Sequence, residues 1–369
     1  MRPSEMIGTE QHGRQHQLHP AGPVLENSEE DVNDVKVRAA QGRAKGVTKI
    51  SAFDQVLAQC AMAGHIAFDN THGRPPGHGL LVASRIRCTA LSSRRVTRPG
   101  GDAEPPGAGA RAKEGLAQLA ETRLWYTDAG GTGPAVVFLH PASGSALVWG
   151  RYQQPAFAAA GYRIIAYSRR SHYNSDPEPE TDPGIGSRDL HDLIEFLGLA
   201  KFHLIASAGG VIHAIDYALS HPSRLLSMVL ANGVGGVRDA DYVDMLLRVR
   251  TRGFDDMPVE FRELSPSYRA IDPDGVREWL ELHRRSITAK RVGQRPANEI
   301  TWAALRGMKI PTLLITGDAD LIWPPPALRL FALYIPDNET AVVAEAGHSV
   351  HWEQPEIFNR LVLDFIGGH

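Results

Sequence analysis

The chain has 369 residues, a formal net charge of -3, 43% hydrophobic and 22% charged residues, which suits one large domain or two modest ones. That charge balance excludes a general polyanion-binding surface, so no nucleic-acid partner is expected. Cys60 and Cys88 are the only cysteines and both lie in the first quarter of the chain, which excludes a disulfide framework or a thiolate metal cluster further on.

The polar start, with His12, His16 and His19, lacks the apolar stretch of a secretory signal, and no run approaches the ~18 apolar residues of a membrane span. A cytoplasmic location without membrane contact is the expectation. The histidines have irregular spacing and no carboxylate or thiolate company, so no metal site is expected of them. Ile50, Phe53, Val56, Leu57 and Cys60 have helix-compatible spacing. Arg94 to Gly109 reads as a linker by composition. Residues 1–120 are therefore expected to form a poorly ordered or non-catalytic extension.

From 121 onward the pattern becomes regular. Arg123–Thr127 and Ala135–Leu139 read as strands around a Gly-rich turn, followed by the loop His140-Pro-Ala-Ser-Gly144. A helix around 152–160, a strand at 162–167, a polar loop and a helix at 187–197 come next. His203-Leu-Ile-Ala-Ser207 is a strand that meets the small residues Ala208, Gly209 and Gly210 and then a helix pattern. A sharp strand-to-helix turn holds its central residue in a strained conformation and aims the first helical N–H groups at the same spot. Ser207 is the candidate there.

Leu226–Leu230 is a further strand, and residues 232 to about 305 form a polar, helix-prone insert with helices expected at 242–249, 257–264 and 275–287. Its position predicts a helical cap over the site. Two more strands, 311–315 and 341–344, lead into Thr316-Gly-Asp-Ala-Asp320 and Ala346-Gly-His348. Strand–helix alternation predicts an α/β fold with a mostly parallel, doubly wound sheet. Such a sheet collects the residues after its strands at one edge, so Ser207, an acid at 318 or 320, and an imidazole at 348 or 351 would meet there. A hydroxyl nucleophile needs an imidazole to take its proton, and the imidazole needs a carboxylate to fix its tautomer.

Over residues 121–369 the sequence resembles the α/β-hydrolase superfamily, in particular its capped esterase, lactonase and carbon–carbon hydrolase members. The likeness rests on Leu139–Gly144, Ser168–Ser175, the Ser207 elbow, Ala218–Arg224, Gly317–Asp320 and Gly347–Pro355. It implies Ser207 as nucleophile, His348 as general base and acid, and Asp320 as the orienting carboxylate, ahead of the rivals Asp318 and His351. Pro141 has no N–H to offer, and the resemblance assigns the oxyanion hole to the amides of Ala142 and Ala208. His140 and the tryptophans 149, 323 and 352 are expected to be structural. The sequence departs from the family at Ile205, where the elbow usually has glycine, at Pro141, and at Ser168 and Ser171, which replace an acid and a glycine.

The implied function is a cofactor-independent serine hydrolase of a small ester or lactone. A carbon–carbon bond hydrolase with the same triad is the alternative, and a non-catalytic small-molecule-binding protein on the same scaffold is the other class. A serine at the elbow argues against epoxide hydrolase and dehalogenase chemistry, which needs a carboxylate there.

Overall fold

The computed structural model describes residues 113–369 apart from Val234. The histidine-rich start, the helical spacing near 50–60, both cysteines and the 94–109 linker lie outside those residues. Eight strands form one sheet: β1 (Lys113–Gln118), β2 (Arg123–Asp128), β3 (Ala135–Leu139), β4 (Arg163–Tyr167), β5 (Phe202–Ser207), β6 (Leu225–Ala231), β7 (Thr312–Gly317) and β8 (Asn338–Val343). Their order is β1-β2-β4-β3-β5-β6-β7-β8, with β2 antiparallel to both of its neighbours, β1 and β4, and every other pair parallel.

Among the described residues the sheet begins with β1 at Lys113, ahead of position 121, from which the regular pattern is read in the sequence. β1 is an edge strand that exposes most of its residues, so Lys-Glu-Gly-Leu-Ala-Gln carries no clear apolar alternation. Its partner β2 supplies the apolar side of the pair.

Helices cover both faces. On one lie α1 (Gln153–Ala159) and the C-terminal α10 (Val350–Glu353) and α11 (Pro355–Ile366), while α2 (Gly186–Phe196), α3 (Gly210–Ser220) and α9 (Pro325–Ala332) lie on the other. Between β6 and β7 the chain inserts α4 (Ala240–Val249), α5 (Val259–Glu263), α6 (Pro266–Ile271), α7 (Pro273–Ser286) and α8 (Trp302–Gly307). Among the described residues no helix is long and apolar enough to cross a membrane.

The two-residue period of β5 divides it between two cores. Phe202, Leu204 and Ala206 join Leu190, Ile194, Ile215 and Phe331, while Ile205 joins Phe138, Trp149, Val350 and Phe358 on the opposite face. Trp149, Trp323 and Trp352 are all buried, as packing residues should be. No extra room has to be found for Ile205, because its side chain points away from α3.

The tight approach falls instead at Gly210, the first residue of α3. A Cβ there would stand 2.8 Å from the Leu139 carbonyl oxygen and 2.9 Å from that of His140. Both contacts are with backbone, which cannot swing aside. Gly210→Ala is expected to destabilise the protein by about 1–3 kcal/mol through overpacking, readable as a lowered urea midpoint with an unchanged slope.

Candidate active site

The carboxyl edge of the sheet gathers the ends of β3, β5, β6, β7 and β8. Asp320 lies just beyond β7 and is 2% exposed, and His348 lies just beyond β8 and is 6% exposed. The His348 Nδ1 sits 2.9 Å from Asp320 Oδ2 and 3.0 Å from Oδ1. With two carboxylate oxygens as its partners, Nδ1 carries the proton and Nε2 presents a lone pair. The structure therefore joins His348 with Asp320, and it leaves Asp318 out of the pair.

Asp320 is a buried charge held by several donors at once. Oδ1 accepts from the backbone N–H groups of Ile322 (2.7 Å) and Trp323 (2.8 Å), and Oδ2 accepts from Asn232 Nδ2 (3.0 Å) and Thr316 Oγ1 (3.3 Å). Burial alone would raise its pKa, but the charge on His348 and these hydrogen bonds hold it below the usual carboxylate value. For His348 the balance has the opposite sign. Burial disfavours the imidazolium, yet the Asp320 charge and hydrogen bond outweigh it and keep the pKa above the ordinary histidine value.

The loop carrying His348 is fixed from two sides. Glu353, itself buried, accepts backbone hydrogen bonds from Gly347 (3.0 Å) and Ser349 (3.1 Å), the residues flanking His348, and from Ser265 of the insert (2.7 Å). The His348 N–H donates to the Glu263 carbonyl at 2.8 Å, and the Glu263 carboxylate accepts from Ser143 Oγ of the β3 loop at 2.8 Å. The insert is thus tied both to the histidine loop and to the loop after β3. Sequence reasoning gave no role to Asn232, Glu263 or Glu353, whose effect comes from contacts distant in the chain. Asn232 has one local sign of special duty, a left-handed φ of 54° directly after β6.

Ser207 is the exception to the expected trio. It is the last residue of β5, still in register with Ala231, and 0% exposed. As the strand period requires, it lies on the Ile205 side, where its Oγ is 3.5 Å from His351 Nδ1, at the outer limit of a hydrogen bond. His351 packs on Trp149 and Phe358, and burial lowers its pKa to about 3. This buried neutral imidazole has no carboxylate to orient it in the manner of Asp320 and His348. The residue at the apex of the turn, with a left-handed φ of 48°, is Ala208.

The elbow therefore runs Ala206-Ser207-Ala208-Gly209-Gly210, one residue later than the frame expected from Ser207. Small residues flank the apex two positions away on each side, and Gly210 makes the close helix–strand contact. This frame also changes the oxyanion assignment. The Ala208 N–H donates to the Ala231 carbonyl at 2.8 Å, continuing the ladder, so it does not point toward a reacting oxygen. Ala142 remains beside the turn: a Cβ on Gly209 would lie 2.7 Å from the Ala142 Cβ and 3.1 Å from its nitrogen.

The loops beside the site are electropositive but poor in titrating groups. His140 Nε2 accepts from the Arg169 N–H at 3.0 Å, a structural role. Arg169 is buried, and its Nη2 donates to the Pro141 carbonyl at 3.2 Å. Burial lowers the Arg169 pKa to about 10, and burial with the Arg169 charge lowers His172 to about 4 and His213 to about 3. His348 is thus the imidazole at this edge whose proton affinity is raised. Ser171, where the resemblance expects glycine, adopts a left-handed φ of 61°. Among the described residues, no group of three or more histidine, cysteine or acidic side chains is arranged to hold a metal ion.

A family model described as the Alpha/beta hydrolase family matches residues 136–361. The 2-hydroxy-6-oxononadienedioate/2-hydroxy-6-oxononatrienedioate hydrolase 2 of Pseudomonas putida is 28% identical over 289 residues, covering 70% of this chain and 95% of that protein. The 2-hydroxy-6-oxo-6-phenylhexa-2,4-dienoate hydrolase of Comamonas testosteroni is 26% identical, covering 67% of this chain and 92% of its own. In backbone, the enol-lactonase of Burkholderia xenovorans LB400 superimposes with a TM-score of 0.57 at 21% identity, over 69% of this chain and 100% of that one.

Two outcomes follow. Asp320→Asn removes the anion that raises His348, so the rate is expected to fall by about 10³–10⁴ while the acid limb of the residual activity moves to lower pH. In the wild type that limb should lie above about 6.5, because a base with a raised pKa is lost to protonation earlier as pH falls. Glu353→Gln places an amide N–H₂ among three N–H donors and should cost about 1–3 kcal/mol, measured by denaturation alongside the His348 titration by NMR.

Proposed function

The chain belongs to the alpha/beta hydrolase family of enzymes, and from that premise we propose that it hydrolyses a carbon–carbon bond next to a ketone in a 2-hydroxy-6-oxo dienoic acid. His348 is the proton-transfer group and Asp320 fixes its tautomer and stabilises its charged form. Cleaving such a bond requires a hydroxyl group to add to the ketone carbon and a proton to reach the carbon that leaves. A single imidazole can serve both needs in turn, as base and then as acid.

The observation that carries this reading is the buried His348–Asp320 pair in a chain matched along two thirds of its length by hydrolases of such acids. The insert from 232 to about 305 acts as a cap, since Glu263 and Ser265 reach the loops on either side of the pair. Ala208 at the elbow apex bears equally on the ester, lactone and carbon–carbon readings, so the preference for carbon–carbon cleavage rests on the likeness to the dienoate hydrolases. No cofactor enters the proposed chemistry.

The reading is tested with purified protein and 2-hydroxy-6-oxononadienedioate, following loss of the dienol absorbance, beside p-nitrophenyl acetate. The dienedioate should be the better substrate by kcat/KM, and His348→Ala should lower that value by about 10²–10⁴. Faster ester turnover, or an unaffected His348→Ala protein, would replace this reading with another.

A further inference from the structure

We infer that the nucleophile of this site is a water molecule activated by His348, and that Ala208 marks the place where a nucleophilic side chain would otherwise project. The inference deepens the carbon–carbon hydrolase reading and rests on it for the identity of the electrophile. It does not rest on it for the vacancy of the elbow, which is a matter of backbone frame.

Three independent observations fix that frame. The left-handed residue of the turn is Ala208, and L-residues other than asparagine and aspartate rarely adopt such a φ unless the fold imposes it. Ser207 is still a strand residue, paired with Ala231, with its hydroxyl on the opposite face against His351. Gly210, two residues beyond Ala208, is where helix and strand come too close for a Cβ. A strand–apex–helix elbow has its close contact two residues after its apex. All three place the apex at 208, where the side chain is a methyl group.

A methyl cannot attack a carbonyl, yet the machinery that would serve a nucleophile is present. His348 is held by Asp320 with Nε2 available, and the Ala142 and Gly209 amides border the apex. In the proposed step, water adds through its oxygen to the ketone carbon and gives one proton to His348 Nε2. The carbonyl electron pair moves to the ketone oxygen, which those two amides are placed to stabilise. The resulting gem-diolate re-forms its carbonyl as the carbon–carbon bond breaks. The 2-hydroxy diene reacts in its keto form, reached when the 2-hydroxyl proton moves to the carbon beside the ketone. The bond's electron pair is then delocalised as a dienolate through the adjoining unsaturated keto acid, and the proton held by His348 goes to the dienolate oxygen. One water is consumed, a carboxylic acid and a shortened enol acid leave, and no bond to the protein forms at any stage.

The experiment is labelling with a fluorophosphonate, with adducts located by peptide mass spectrometry, on wild type and Ala208→Ser. Wild type is expected to remain unlabelled, and Ala208→Ser to gain a stoichiometric adduct at position 208. An adduct on Ser207 of the wild type would overturn the inference, as would a folded Ala208→Ser protein that stays unlabelled. Should that variant fail to fold, Ala208→Cys with a haloacetamide makes the same test. Labelling reads the nucleophile whatever the substrate, so its outcome stays separate from that of the dienedioate assay. On the dienedioate, Ser207→Ala should keep kcat within about threefold; a loss of a hundredfold at native stability would return the serine to the reaction.

Discussion

The buried charge of Asp320 is the constraint on which the carboxyl edge of this sheet depends. An isolated carboxylate at 2% exposure would cost several kcal/mol and would rather take up a proton. It stays ionised because donors from four places converge on it: the turn that carries it, the strand before it, Asn232 directly after β6, and His348 in the loop after β8. The same convergence fixes the relative positions of three loops. Asn232 makes the coupling explicit, since one amide nitrogen donates both to Asp320 and to the Gly347 carbonyl beside His348. Electrostatic satisfaction and catalytic geometry are here a single requirement.

Much of the framework is legible from apolar periodicity, because the inner parallel strands β3, β5, β6 and β7 are buried on both faces and read as largely continuous apolar runs. Ala135–Leu139 and the alternation through β7 are examples. β1 is not legible, because an edge strand with one well-buried residue carries no such pattern. The elbow shows a subtler limit. A strand followed by Ser-Ala-Gly-Gly announces a turn, and a hydroxyl in it draws the eye to position 207. Which residue stands at the apex is decided by where the strand stops pairing, and a shift of one residue moves every side chain to the other face. The sequence does contain the corrective signal, in Ala206 and Gly210 placed symmetrically about Ala208, whereas the frame centred on Ser207 puts bulky Ile205 at the position that asks for a small residue.

The histidines divide in the same physical terms. His172 and His351 are as buried as His348 and His213 is half-buried, yet desolvation drives their pKa values down to between about 3 and 4 and leaves them neutral. The buried Arg169 guanidinium reinforces this for His172 and His213. What separates His348 is one carboxylate at hydrogen-bonding distance. Residue type and sequence position name the candidates, but only proximity of charge selects the one able to cycle a proton near neutral pH.

Glu353 and Glu263 show how the insert enters the chemistry without contributing a reacting group. Glu353 is a carboxylate whose burial raises its pKa, so its ionised form depends on the backbone N–H groups it accepts from. Two of those belong to the residues flanking His348, and the third to Ser265, at the start of α6. Displacing the insert would therefore uncover both a charge and the histidine loop together. The Ser143–Glu263 bond closes the circuit on the other side, joining the insert to the loop that carries Ala142. A base after β8 and an amide after β3 lie on opposite sides of the elbow, and the insert is the element that contacts both. Its placement over the sheet edge is thus written into the hydrogen bonds that hold the proton-transfer group in place, so substrate enclosure and alignment of the base are expected to be gained or lost as one.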